Sequence, residues 1–160
     1  MGRIFGIFSI LFVMSSFNYS VKPPILKVDD LVKRYSNKSD TTYIINFWAT
    51  WCAPCVAELP FLEAVNSNYF EEKVKVILVS LDFREDYDKK LVPFIEKRKI
   101  RSEVVMLDET NGSYFIPKIH KDWGGAIPST MIINNTKNFT EFHEVPVTYE
   151  VLDNAVKKCR

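Results

Sequence analysis

Residues Phe47–Pro60 read FWATWCAPCVAELP, placing Cys52 and Cys55 three positions apart, with Pro54 between them and Phe47, Trp48 and Trp51 just before. Such a pair can be a redox centre, half of a metal site or a structural disulfide. A bridge over two intervening residues closes too short a loop to restrict the unfolded chain much, which weakens the structural role. Zinc usually takes four ligands, and here there is no second CxxC; His120 and His143, the only histidines, lie far apart in sequence. No metal site is therefore expected.

The neighbourhood of the pair decides what chemistry it can do. Thr41–Ala49 is β-branched and aromatic with apolar residues on both faces, the pattern of a central buried strand. A helix is expected to start within the cysteine pair and run to Tyr69, kinked at Pro60, with Pro54 in the first turn where a missing N–H costs little. Cys52 then meets unpaired N–H groups and the positive end of the helix dipole. Lowering a thiol pKa from about 8.5 to about 7 stabilises the thiolate by about 2 kcal/mol and makes it a nucleophile at neutral pH. Cys55, one turn on, points inward and can resolve a mixed disulfide held on Cys52. Glu58 shares the face of Cys55, where burial would raise its pKa into the range useful for passing a proton to and from a thiol. A solvated surface glutamate is equally compatible with that spacing.

Further along, Val28–Tyr35 reads as a short helix, Val74–Leu81 as a buried strand, and Arg84–Lys99 as one amphipathic helix with acids early and bases late. Glu103–Leu107 is a third strand, followed by an irregular stretch containing Gly112, Pro117, Gly124 and Gly125. Ser129–Asn134 and Phe139–Val145 flank the turn Asn135–Asn138 as a hairpin, and Thr148 caps a last helix to Lys158. This order predicts an α/β fold: a mainly parallel sheet, antiparallel at one edge, with helices on both faces. The CxxC falls at the carboxyl end of a central strand, where open α/β sheets place their sites.

The chain has 160 residues, 47% hydrophobic and 26% charged, with a formal charge of +1, which fits a single core and argues against nucleic acid as a partner. Residues 1–20 carry Arg3, an apolar run from Ile4 to Met14 and then small and polar residues. That is the pattern of a signal peptide, and the run is shorter than the roughly 20 apolar residues of a membrane helix. Cleavage after Asn18 or Ser20 is favoured over an uncleaved anchor, leaving residues 21–160 as one exported domain in a compartment where disulfides persist. Cys159, the odd cysteine, is expected to be a spare thiol on a frayed tail, and the domain a monomer.

With these residues in hand, the sequence resembles the thioredoxin superfamily, and within it the extracytoplasmic TlpA/ResA/DsbE-like thiol-disulfide oxidoreductases. NFWATWCAPCVAELP is similar to their active-site segment, and WGGAIPSTMIIN, Trp123–Asn134, to their second signature. The resemblance implies a thioredoxin-like fold with a central mixed sheet and an extra strand-helix insertion around 103–107. It implies that Pro128 is cis and faces the cysteines, and that Ile127 offers its backbone to an extended substrate. It places a glutamate at Glu58 in this branch, whereas cytoplasmic thioredoxins have a buried aspartate at the position of Asn46. Trp51 and Trp123 are expected to frame the site, although either could be core packing. No cofactor is implied beyond the Cys52–Cys55 pair itself. The implied partners are protein thiols and disulfides, with a membrane thiol reductase as electron donor and cytochrome c maturation as one setting. Ala53 matches neither the glycine of reducing thioredoxins nor the histidine of strong oxidants. No peroxidatic threonine and cysteine arrangement stands upstream, which disfavours a peroxiredoxin. The competing class is a thioredoxin-fold metal carrier or adaptor using the pair as ligands; no His or Met donor set accompanies it.

Overall fold

The computed structural model describes residues 22–159; the expected signal peptide lies outside the described residues. Strand β2 (Thr42–Trp48) is buried at every position, as its two-sided apolar sequence requires. It pairs in parallel with β3 (Val74–Ser80) and antiparallel with β5 (Ser129–Asn134). Outside β3 lies parallel β4 (Glu103–Leu107), and outside β5 lies antiparallel β6 (Phe139–His143). A two-residue strand β1 (Ile25–Leu26), not anticipated from the sequence, adds to the far edge of β4 and gives the order β1-β4-β3-β2-β5-β6. Pro24 and Leu26 accept from the N–H groups of Met106 and Asp108, and Ile25 and Leu26 pack against the cores on opposite faces of the sheet.

The helices cover both faces. On one side α2 (Ala53–Asn68) and α5 (Tyr149–Lys158) enclose Ile44, Trp48, Leu62, Val65, Ile132 and Leu152. On the other, α1 (Val28–Tyr35) and α4 (Gly112–Ile119) cover Ile45, Phe47, Ile77, Val105, Phe115 and Met131. Helix α4 corrects the irregular stretch expected after Leu107. Gly112 stands at its first residue and Pro117 in its last turn, so the proline removes one hydrogen bond while Phe115 and Ile119 seat on the sheet.

The single helix expected over 84–99 is three pieces: a 3₁₀ turn at Arg84–Asp86, a π turn at Tyr87–Leu91, and α3 (Val92–Arg98). Pro93 explains the division. In a regular helix its ring would strike the carbonyl of Lys89; instead Val92 donates to the carbonyl of Tyr87 five residues back, and the wider turn relieves that clash. Helix α2, by contrast, continues through Pro60 to Asn68 as one element.

Candidate functional site

The loop after β2 delivers Cys52 to the start of α2. Cys52 is the N-cap residue, and its Sγ accepts from the Cys55 backbone N–H at 3.3 Å. That donor and the helix dipole both favour negative charge on this sulfur once the pair is reduced. Cys52 and Cys55 are bonded to each other, and both are buried, with Trp51 beside them 57% exposed. Across the site, the Ile127–Pro128 peptide is cis, and the Ile127 carbonyl oxygen lies 3.9 Å from Cys52 Sγ. Neighbouring strands β2 and β5 bring the two signatures together, with Phe47 opposite Ser129.

Glu58 is 2% exposed, not a surface residue. Its Oε1 accepts from Asn46 Nδ2 at 2.7 Å and its Oε2 from the Val147 N–H at 2.8 Å. Burial raises its pKa, and the two donors oppose the rise without cancelling it. A carboxyl whose neutral form burial favours keeps its proton to higher pH than a solvated one, the direction that acid-base work on a thiol calls for.

Trp123 does not stand at the rim. It is 4% exposed and packs against Phe47 and Phe115, with ring centroids 4.6 and 6.1 Å away. Its Nε1 donates to the Ala126 carbonyl at 2.9 Å, so it supports the cis-proline loop from behind. Cys159 is also corrected: it is 5% exposed beneath the end of α5, and burial raises its thiol pKa. The chain end is held because Leu152, Ala155 and Val156 seat α5 on the sheet.

Two carboxylates escaped sequence reading. Asp82, just past β3, accepts from the Thr50 N–H at 3.1 Å, from Thr50 Oγ1 at 2.5 Å and from Ser80 Oγ at 2.8 Å, pinning the loop that carries Cys52. A lone acid at the end of a buried parallel strand was the signal for it. Glu144 accepts from the N–H groups of Gly124 and Ala126 at 3.1 and 2.9 Å, and so clamps the cis-proline loop. No local pattern marks it. Gly125 turns that loop with φ 94°, and a Cβ there would come within 2.9 Å of Ile116 Cδ1. Among the described residues, no group of three or more His, Cys, Asp or Glu is placed to hold a metal ion.

A 68-residue segment is 35% identical to the thiol-disulfide oxidoreductase ResA of Oceanobacillus iheyensis, covering 42% of this chain and 35% of that protein. Over 116 residues the chain is 27% identical to the sporulation thiol-disulfide oxidoreductase A of Bacillus subtilis, covering 72% of this chain and 66% of that protein. The chain thus spans between about a third and just under two thirds of these curated relatives. The crystal structure of StoA from Bacillus subtilis superposes with a TM-score of 0.60 at 25% identity, over 76% of this chain and 85% of that one. A thioredoxin-related protein of Neisseria meningitidis shares the fold at a TM-score of 0.65 and 22% identity, over 78% and 87% of the two chains. The AhpC/TSA family profile matches residues 26–141, more than half of the sequence, and with its thioredoxin-like fold the chain belongs to that family.

Proposed function

We propose that the protein is a thiol-disulfide oxidoreductase that reduces disulfides of exported proteins. The observation that carries this reading is the Cys52–Cys55 disulfide at the start of α2, opposite the cis Ile127–Pro128 peptide. In the reduced protein, Cys52 thiolate attacks a substrate disulfide, bonding one substrate sulfur and releasing the other as a thiolate that takes a proton from solvent. Cys55 then gives its proton to Glu58, and its thiolate attacks Cys52 Sγ. The Cys52–Cys55 disulfide forms, the second substrate thiolate leaves, and the proton returns from Glu58 to that thiolate or to solvent. Two electrons pass from the protein to the substrate. Ile127 and Pro128 dock the substrate as a short extended segment, with Trp51 as the exposed apolar wall beside it.

The leader-like residues 1–20 support export with cleavage, and no helix among the described residues is long and apolar enough to cross a membrane. The family resemblance supports periplasmic action as a monomer, resetting by a membrane thiol reductase, and a place in cytochrome c maturation. No cofactor besides the cysteine pair takes part.

A Cys55→Ala variant expressed in the native host is expected to accumulate mixed disulfides through Cys52 with exported proteins, visible as reductant-sensitive adducts in non-reducing gels. Absence of such adducts would overturn the reading. Titration against glutathione or dithiothreitol is expected to place the couple below about −220 mV, in the reducing range; a far higher potential would make the protein an oxidant.

A further inference from the structure

Glu58 must stay hydrogen-bonded in two protonation states, and its surroundings differ in their ability to serve both. The carboxylate accepts from Asn46 Nδ2 on Oε1 and from the Val147 N–H on Oε2. When a proton arrives, one oxygen becomes a donor. Oε2 can remain the acceptor of the backbone N–H, which has no other chemistry to offer. The proton then sits on Oε1, facing an amide nitrogen that has only donors. Left there, two donors would oppose each other in a buried site, a costly arrangement.

Asn46 carries the means of resolving this. Its Oδ1 is buried and has no hydrogen-bond partner, while its Nδ2 donates to Glu58 and, at 2.9 Å, to Thr130 Oγ1. The Thr130 hydroxyl is both donor and acceptor. If the amide turns over, Oδ1 accepts from the Glu58 carboxyl O–H and from the Thr130 hydroxyl. What is lost is the 3.5 Å contact of Nδ2 with the Ser129 carbonyl. The two orientations therefore make the same two short hydrogen bonds with their directions reversed, and each leaves one end of the amide unpartnered.

We propose that Asn46 is a positioning residue that reverses its amide with the protonation of Glu58, donating to the carboxylate and accepting from the acid. This rests on the proposed part of Glu58 in disulfide exchange. It also gives a reason for an amide at position 46: an aspartate would set a second carboxyl against Glu58, while an apolar side chain would leave Oε1 unpartnered in both states. The carboxyl is hydrogen-bonded by Asn46 of β2 and by the Val147 N–H of the segment before α5, Asn46 in turn by Thr130 of β5, and Cys55 precedes Glu58 by three residues on α2. The acid of α5, Asp153, is engaged by Tyr69 and Lys157, and on β6 His143 lies opposite Thr130 with its Nε2 3.6 Å from Glu141 Oε2. With the disulfide closed, Glu58 is the titratable group hydrogen-bonded to Asn46.

The test uses the oxidised full chain, isotopically labelled, and follows the Glu58 carboxyl carbon and the Asn46 side-chain amide by NMR as pH is lowered. The expected result is one midpoint for both signals, with the contact between the Asn46 amide hydrogens and the Thr130 side chain present above it and lost below it. A contact that persists on both sides, while Glu58 titrates, would overturn the inference and leave the exchange chemistry standing. A Glu58 that never protonates would overturn this inference together with Glu58's part in exchange, whereas the Cys55→Ala adducts would be unaffected. In Asn46→Leu, both protonation states lose their partner, so the Glu58 midpoint in the exchange pH profile is expected to move by less than about half a unit. A fixed donor would, on removal, raise it by about one to two units, and that shift would also overturn the inference.

Discussion

A carboxyl buried among apolar groups is easier to keep protonated than ionised, and Glu58 shows the imprint of that in its raised pKa. In the folded protein Glu58 binds its proton up to a higher pH than its ordinary value of 4.5, so the folded state holds more protons than the unfolded state between that value and the raised one. Glu58's contribution to stability is therefore full below about pH 4.5 and is lost as pH rises through the folded value. A Glu58→Gln variant removes this term. It is expected to gain stability relative to the parent as pH is raised toward neutrality, measured by urea unfolding across a pH series. It is also expected to resolve mixed disulfides about a hundredfold more slowly, the usual scale of general acid-base assistance, read from the lifetime of the Cys52 adduct. More stable and less active is the pattern of a strained functional residue.

At the scale of elements, the site is assembled from loop ends that have been tied down. Asp82 ties the end of β3 to Thr50, and Glu144 ties the end of β6 to Gly124 and Ala126. The two ties differ in burial, and so in what their loss does. Asp82 is buried and its partners would be left without acceptors, so Asp82→Ala is expected to lower stability by about 2–3 kcal/mol in thermal or urea unfolding. Glu144 is partly exposed, and water can replace it on the freed N–H groups. Glu144→Ala is expected to leave unfolding within about 1 kcal/mol of the parent while raising KM for a peptide disulfide, because the docking loop loses its fixed shape. The backbone of that loop is already committed at Ala126, whose N–H goes to Glu144 and whose carbonyl goes to Trp123. Ile127 is left as the next residue available to a partner.

Across the whole molecule, what was legible in the sequence is what repeats locally. β2, β3 and β4 announced themselves by stretches dense in β-branched and other apolar residues, and α5 by Thr148, which accepts from the Val151 N–H as a cap should. What was hidden depends on contacts between distant segments. Two residues of β1 have no pattern of their own, α4 is masked by Gly112 and Pro117, and Asp82 and Glu144 act through backbone groups far away in sequence. Cys55 is marked by its spacing from Cys52, Glu58 by spacing and resemblance together and the cis Pro128 by resemblance alone, but only the fold showed that Trp123 lies behind the loop. Cys159 is the clearest case: in sequence it reads as loose, yet it is buried at the C-cap of α5. In the folded protein its alkylation is expected to proceed no faster than global opening, while added denaturant exposes it at once, as mass spectrometry of labelled peptides would show. The span from Cys52 to the cis-proline is set by the β2–β5 ladder, whose register places Asn46 opposite Thr130 and Phe47 opposite Ser129. Main-chain hydrogen bonds belong to no particular side chain, so most substitutions on these strands leave that span intact. A single residue inserted between Ser129 and Thr130 would turn the threonine hydroxyl to the other face of the sheet and part it from Asn46. The site is thus tolerant of exchange and intolerant of frame, and lineages of this fold are free to rewrite the strands' letters as long as they keep the count.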